Sequence, residues 1–452
     1  MANVIKLRKG LDINLKGKAK GERRRLGPAV EYALTPDSFT GVIPKVVVHE
    51  GDTVKAGDAL FVNKQYPEVK FASPVSGTVL EILRGERRKV LFVKVKADDK
   101  QQYAEFGQKN VDALSADEVV QTLLDAGLFG YVNQLPYAVS ANPQSKPKAI
   151  FVSALRDMPL AGDFEIELKG NELAFQTGLT ALSKIAKTFL GIGSKQKSDM
   201  LTSAKNVEIN IFDGPCPAGN VGVQVNHLSP VNKGEVVWTV EPTSVIFFGR
   251  LFLTGRVDLT RTVAVAGSEI TSPEYVDVLV GTPLNHILNG KLNSTEHIRL
   301  INGNPLTGKI TDMADYLGAH TSEVTAIPEG DNADEMFGWM LPRTKQFSIS
   351  HSYFSWLAGK NREYDLDARI KGGERHMIMS GEYDKVLPMD IYGEYLIKAI
   401  IAGDIDKMEQ LGIYEVAPED FAVAEFVDSS KLELQEQLHK FPIVPFYLYH
   451  RQ

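Results

Sequence analysis

Phe71-Ala72-Ser73-Pro74-Val75-Ser76-Gly77-Thr78-Val79-Leu80-Glu81-Ile82 is the stretch around which the rest of the chain reads. Just upstream, Glu50-Gly51-Asp52-Thr53-Val54-Lys55-Ala56-Gly57-Asp58-Ala59-Leu60 sets two Gly-Asp pairs between short apolar alternations. Alternation marks strands with one buried face, and Gly-Asp pairs suit the tight turns between them. Residues 44–95 are therefore expected to fold as consecutive hairpins.

These segments resemble the flattened barrel-sandwich of biotinyl and lipoyl carrier domains, in which a lysine at a hairpin tip holds the cofactor. Here the tip reads Gln65-Tyr66-Pro67, and a phenol cannot form the required amide. A carrier or adaptor module modified on Lys64 or Lys70 is kept as an alternative.

Outward from this unit, 452 residues suffice for about three domains. No apolar run reaches the ~18 to 20 residues that cross a bilayer; Ser244–Leu253 is shorter, contains Arg250, and reads as a buried strand. Met1–Lys9 leads into basic residues, not an apolar signal segment, so a cytoplasmic chain is expected. Cys216 is the only cysteine, which excludes an internal disulfide and a four-thiolate cluster within the chain. Flanked by Pro215 and Pro217, it reads as a turn residue. The histidines show no HxxxH spacing, so no metal site is expected. The formal net charge is −7, yet residues 6–25 are strongly basic, with Arg23, Arg24 and Arg25 in a row. Arg87 and Arg88 extend that character to the last hairpin, and both groups are candidates for contact with a partner or membrane surface.

Further along, Ser115 and Glu118 form a capping box ahead of a helix that stops at Gly127. Residues 148–154 read as a strand, 180–190 as a helix and 207–212 as a strand, an order that favours a mainly parallel α/β sheet. Residues 236–277 read as dominantly β, followed by a short helix after Pro283 and a strand from His297, as in ubiquitin-like folds. Trp339, Phe347, Tyr353, Phe354 and Trp356 form an irregular aromatic run. Residues 391–404 read as an amphipathic helix closed by Gly403, residues 430–439 as helical, and Phe441–Tyr447 as an apolar tail expected to dock on its own domain.

With these pieces in order, the chain resembles the A subunit family of the sodium-translocating NADH:quinone reductases from end to end. It is more distantly similar to the C subunit of the Rnf complex and to the flavin-binding subunit of complex I. The resemblance implies an α/β and α+β multidomain fold: a basic strand plus carrier-like barrel-sandwich over 1–100, a Rossmann-like α/β domain over 101–255, a ubiquitin-like β-grasp domain over 256–335, and a mixed, aromatic-rich and helical C-terminal region over 336–452. The redox-active relatives carry a glycine-rich loop whose bare backbone cradles a flavin phosphate. Here Gly127, Phe129, Gly130 and Tyr131 stand in that place, a degenerate loop filled by two rings. Gly214–Val221 resembles a second flavin-side turn, with Asn220 and Val221 where the relatives are acidic.

The resemblance thus implies a peripheral subunit on the cytoplasmic face of the bacterial inner membrane. The complex passes electrons from NADH to ubiquinone and exports sodium; no cofactor is bound in this chain, and flavins, NADH and iron–sulfur centres belong to partner subunits. Its role would be to shape or cover the quinone site. Ubiquinone is the one small-molecule partner considered, and nucleic acid is not. Candidates for quinone contact are Asn226 and His227, in a segment read as a turn between strands, and the ring cluster His351, Tyr353, Phe354 and Trp356. No catalytic residue is assigned. Glu374–Asp384, with His376, reads as a solvated, salt-bridged loop. A self-sufficient flavin-dependent NADH dehydrogenase is the alternative from the enzyme class.

Overall fold

A computed structural model describes residues 3–331, 340, 342–359 and 362–440. Trp339 and the Phe441–Tyr447 tail lie outside the described residues.

The hairpins around Gly77 form two facing sheets. Glu31–Leu34, Val90–Ala97, Gly77–Arg84 and Thr53–Val54 make a four-stranded sheet, and Pro44–Val46, Ala59–Asn63 and Lys70–Ala72 a three-stranded one. Phe61 and Phe71, cross-strand partners in the three-stranded sheet, stack with ring centroids 4.6 Å apart. At the hairpin tip, Lys64 is exposed and its amide donates to Ile43 (2.8 Å), while Tyr66 turns back onto the core.

The capping box forms as expected at Ser115, opening the helix Ala116–Asp125. Next comes a seven-stranded sheet in the order Asn3–Lys6, Glu208–Asp213, Thr188–Gly193, Ile150–Ser153, Val237–Val240, Val132–Leu135, Val139–Ser140. The first five strands of that order run parallel, Val132–Leu135 pairs antiparallel with Val237–Val240, and Val139–Ser140 pairs antiparallel with Val132–Leu135.

Three local expectations differ from the fold. Ser244–Leu253 lies in the helix Pro242–Thr254, not in a strand. Pro242 occupies its first turn and Gly255 closes it at φ +72°, and the helix is apolar nearly all round because it packs against the helix Glu172–Ile185 as well as the sheet. The helix expected over 180–190 ends at Ile185, and Thr188–Leu190 belongs to a fully buried strand. Val223–Leu228 is helical, within Val221–Leu228, not a turn between strands.

A six-stranded sheet follows, ordered Lys309–Thr311, Ile298–Asn302, Glu323–Pro328, Thr260–Ala266, Glu274–Leu279, Arg23–Arg25, with the short helix Leu284–Leu288 packed on it. Helices Gly393–Ala402, Ala422–Val427 and Leu434–Lys440 then share a core with Phe212 and Val223 of the α/β part.

The first 25 residues tie these parts together. Asn3–Lys6 pairs with Asn210–Asp213, Gly10 donates to Lys385 O (3.0 Å), Lys16 donates to Tyr364 O (2.9 Å), and Arg23–Arg25 joins the six-stranded sheet beside Tyr275–Asp277.

Candidate functional site

Open parallel sheets place ligands beyond the carboxyl ends of their strands, where the strand order reverses. In this sheet that point lies between Ile150–Ser153 and Val237–Val240. The loops leaving Ser153, Gly193, Asp213 and Val240 therefore bound the first region to inspect.

The Gly127–Tyr131 segment reaches this edge through Val132, which pairs with Val240. It offers no cradle. Phe129 meets Trp238 edge-on at 5.4 Å, and Tyr131 meets Phe39 at 5.3 Å and Phe247 at 5.6 Å. Both rings are sealed in a core shared by the barrel and the α/β sheet. A Cβ on Gly127 would sit 3.0 Å from Ala72 N, and one on Gly130 would overlap the Phe71 ring. The glycines serve close packing against the barrel, not approach of a phosphate.

Beside Tyr131 sits a polar cluster that sequence reading missed. Arg261 is fully buried; its Nη1 donates to Ala319 O (2.5 Å), and its Nη2 lies 4.0 Å from Glu241 Oε2. His320 Nδ1 lies 3.4 Å from the same carboxylate. Burial pushes Glu241 up, but His320, Arg261 and Arg156 outweigh it and hold the carboxyl below its ordinary range. The only hint in the sequence was a charged residue at an inward position of an otherwise apolar alternating strand.

In the Gly214–Val221 turn, Cys216 is buried, and burial raises its thiol far out of the reactive range, with Asp157 and Asp12 adding to the effect. Asp157 Oδ2 accepts the Gly219 amide (2.9 Å), yet burial pushes that carboxyl up to about 6. Where the resemblance implies acidic residues, Asn220 instead donates to Glu419 O (2.9 Å). A carboxylate does occupy the place, but it comes from the C-terminal region: Asp420 packs so closely on Gly222 that a Cβ there would overlap it.

The structure separates the other singled-out residues. Asn226 donates to Glu415 and accepts from Asp390 N (2.9 Å), so its amide is engaged on both sides. His227 Nδ1 lies 3.0 Å from Val223 O within its own helix. His351 stacks on Trp356 at 5.2 Å, and Phe354 and Trp356 are 58% and 46% exposed, a surface ledge far from enclosure. Tyr353 lies under the Arg343 guanidinium at 5.7 Å.

Arg23 and Arg24 are engaged within the fold. Arg23 donates to Glu167 O (3.1 Å), and Arg24 binds Glu274 through two nitrogens. Arg24 and Lys291 hold the Glu274 carboxyl down to about 2 against its partial burial. Arg25, Arg87 and Arg88 are exposed, the last two at positive φ in the tip of their hairpin. Glu374 and His376 lie in an exposed loop.

One open cleft of about 390 Å³ adjoins the sheet edge, between Leu155, Arg156 and Gln196 on one side and Lys18–Gly21 and Tyr275 on the other.

Family models match three consecutive segments: one described as the NqrA N-terminal barrel-sandwich hybrid domain over 5–98, the NqrA second alpha/beta domain over 114–257, and the NQRA C-terminal domain over 262–312. Over 442 residues the chain is 33% identical to the A subunit of the Na(+)-translocating NADH-quinone reductase of Neisseria meningitidis serogroup B, covering 97% of this chain and 98% of that one. It is 34% identical over 436 residues to the protein of the same name from Yersinia pestis bv. Antiqua, covering 95% and 96%. Among solved structures, an NAD+-reducing [NiFe]-hydrogenase in the air-oxidized state aligns at 12% identity and a TM-score of 0.36, over 75% of this chain and 68% of that chain.

Proposed function

Because the chain belongs to the A subunit family of the Na(+)-translocating NADH-quinone reductases, we propose that it works as a peripheral subunit of such a complex and carries no flavin of its own. The observation that carries this reading is the filled segment at Gly127–Tyr131. Its two aromatic rings and the Phe71 ring occupy the volume that a phosphate and its ring system would need. In the complex, electrons pass from NADH to quinone while sodium moves; the flavins and iron–sulfur centres reside in the partners, and this chain contributes shape.

Among the described residues no helix is long and apolar enough to cross a membrane, which fits docking onto membrane-spanning partners at the cytoplasmic face of the inner membrane. The exposed Phe354, Trp356 and Leu357 ledge, with Arg25, Arg87 and Arg88, supplies apolar and cationic surface for that docking. Quinone contact, on this reading, falls to the His351, Tyr353, Phe354 and Trp356 run once a docked partner encloses that exposed ledge, because Asn226 is already engaged and His227 faces its own helix.

Two finer fold assignments belong with the proposal. The 3-2-1-4 order of parallel strands supports a Rossmann-like ancestry for the α/β part. In the six-stranded sheet, a hairpin, a helix and a last strand parallel to the first support a ubiquitin-like one. Accordingly the four-part division at about 100, 255 and 335 is retained.

The test is flavin content. The full-length chain, purified and then incubated with excess FMN or FAD and desalted, is expected to release no stoichiometric flavin on denaturation and to show no NADH oxidation with an artificial acceptor. A flavin retained one per chain would overturn the reading and favour the self-sufficient dehydrogenase.

A further inference from the structure

The cleft at the sheet edge is built differently from the filled segment. Its walls come from five segments of the chain: Lys18–Gly21, Leu155 and Arg156 after the strand Ile150–Ser153, Asp163, Phe164 and Ile166, Gln196, and Tyr275 of the six-stranded sheet. Lys18 and Lys20 are exposed, face this cleft, and make no ion pair with the described residues.

Arg156 is fixed in place. Its Nη2 donates to Glu167 Oε2 (3.0 Å) and to Thr243 Oγ1 (2.7 Å), and its guanidinium lies over the Phe164 ring at 5.2 Å. Its Nε and Nη1 make no hydrogen bond to the described residues, and because both forks of the guanidinium run through the engaged Nη2, these two nitrogens remain as separate single donors. The opposing carboxylate, Asp163, is turned to cap its own helix, accepting the Glu165 amide at 2.9 Å. Gln196 is spent on Gly193 N (2.8 Å) and Ala154 O (3.0 Å). The two lysines outnumber the one exposed carboxylate, Asp163, and Leu155 and Ile166 add an apolar floor.

We propose that this cleft binds a small phosphate ester, with its phosphoryl group between Lys18, Lys20 and the Arg156 guanidinium. Two exposed ammonium groups and a guanidinium held in place match a compact dianion better than a neutral ligand. The location agrees with where parallel sheets bind ligands, and the volume suits a ligand of mononucleotide size. No redox step is involved, and binding in this open cleft is expected to be reversed by desalting, so a flavin retained one per chain would bear on the filled segment and not on this site.

Titration calorimetry of the full-length chain with AMP, inorganic phosphate and succinate tests this. AMP binding that weakens about tenfold for each of Lys18→Ala and Lys20→Ala, and that weakens further with salt, is the expected result, with Lys55→Ala on the barrel unchanged. Binding of inorganic phosphate as tight as that of AMP would support the phosphoryl site and assign it to the free ion. In parallel, AMP should protect Lys18 and Lys20 of the unsubstituted chain from acetylation, a readout that needs no variant to fold. Succinate binding as tightly as AMP, no binding by either phosphate species at millimolar concentration, or AMP binding unchanged in the Lys18→Ala, Lys20→Ala double variant would overturn the proposal.

Discussion

Asp420 shows how a single side chain ties the C-terminal region to the α/β sheet. It is 1% exposed, its Oδ2 accepts the Ala417 amide (2.8 Å), and its Oδ1 has no partner among the described residues. Burial, aided by the nearby Glu419 carboxylate, pushes its carboxyl up to about 8 despite the Ala417 hydrogen bond and the nearby Asn220 amide. An acid whose folded value is raised favours the fold while protonated. That contribution is complete below the ordinary carboxylate range near pH 4 and is lost as pH rises through about 8. Thermal melts between pH 6 and 8.5 should therefore show falling stability, with amide protection in 417–427, taken relative to the intrinsic exchange rate, declining over the same range. Asp420→Asn, which keeps the neutral shape, should flatten that slope; a slope unchanged in the variant would remove Asp420 from the account.

At the scale of elements, the basic amino-terminal stretch acts as a strap. Its close approach to the six-stranded sheet depends on Gly17, whose φ is +93° and whose missing Cβ would fall on the Gly267 carbonyl. Gly267 N in turn donates to Gly17 O at 2.9 Å. Gly17→Ala adds a left-handed backbone penalty of about 1–2 kcal/mol to a steric overlap that backbone cannot avoid. Tryptic cleavage at Lys18, Lys20 and Arg23–Arg25 is expected to accelerate several-fold while the circular dichroism spectrum stays the same. Equal cleavage rates would mean that the strap is held elsewhere. In the helix Pro242–Thr254, ten residues are buried, so its sequence carries no polar stripe, and a short apolar run of that kind reads equally well as a strand.

Across the whole molecule, the barrel and the α/β sheet share one hydrophobic core. Phe39 sits 4.4 Å from Phe71 and 5.3 Å from Tyr131, bridging the two sides by ring contact. The barrel is thus expected to unfold together with the sheet it abuts. Phe71→Ala, at a fully buried site touching both, should cost about 3–5 kcal/mol and shift barrel and sheet signals by the same denaturant increment. Two transitions moving separately would show that the modules fold independently. A docked barrel of this kind has lost the mobility a swinging carrier needs, in agreement with Tyr66 turned onto the core at its tip.

Hairpins around Gly77, the capping box at Ser115, the strand at Arg261–Ala266 and the glycine-closed helix ending at Ala402 were legible in the chain alone, because each is set by neighbours within a few residues. The bulk of Phe129 and Tyr131 was visible in the chain too, since side-chain size is local. What those rings pack against was not. The pairing of Asn3–Lys6 with a strand about two hundred residues away, the Arg261, Glu241 and His320 cluster, the Asp420 carboxylate against Gly222, and the meeting of Lys18, Lys20 and Arg156 around one cleft join residues far apart in sequence. Only burial of the separate apolar faces against one another brings such residues together, and no local pattern of residues encodes that choice.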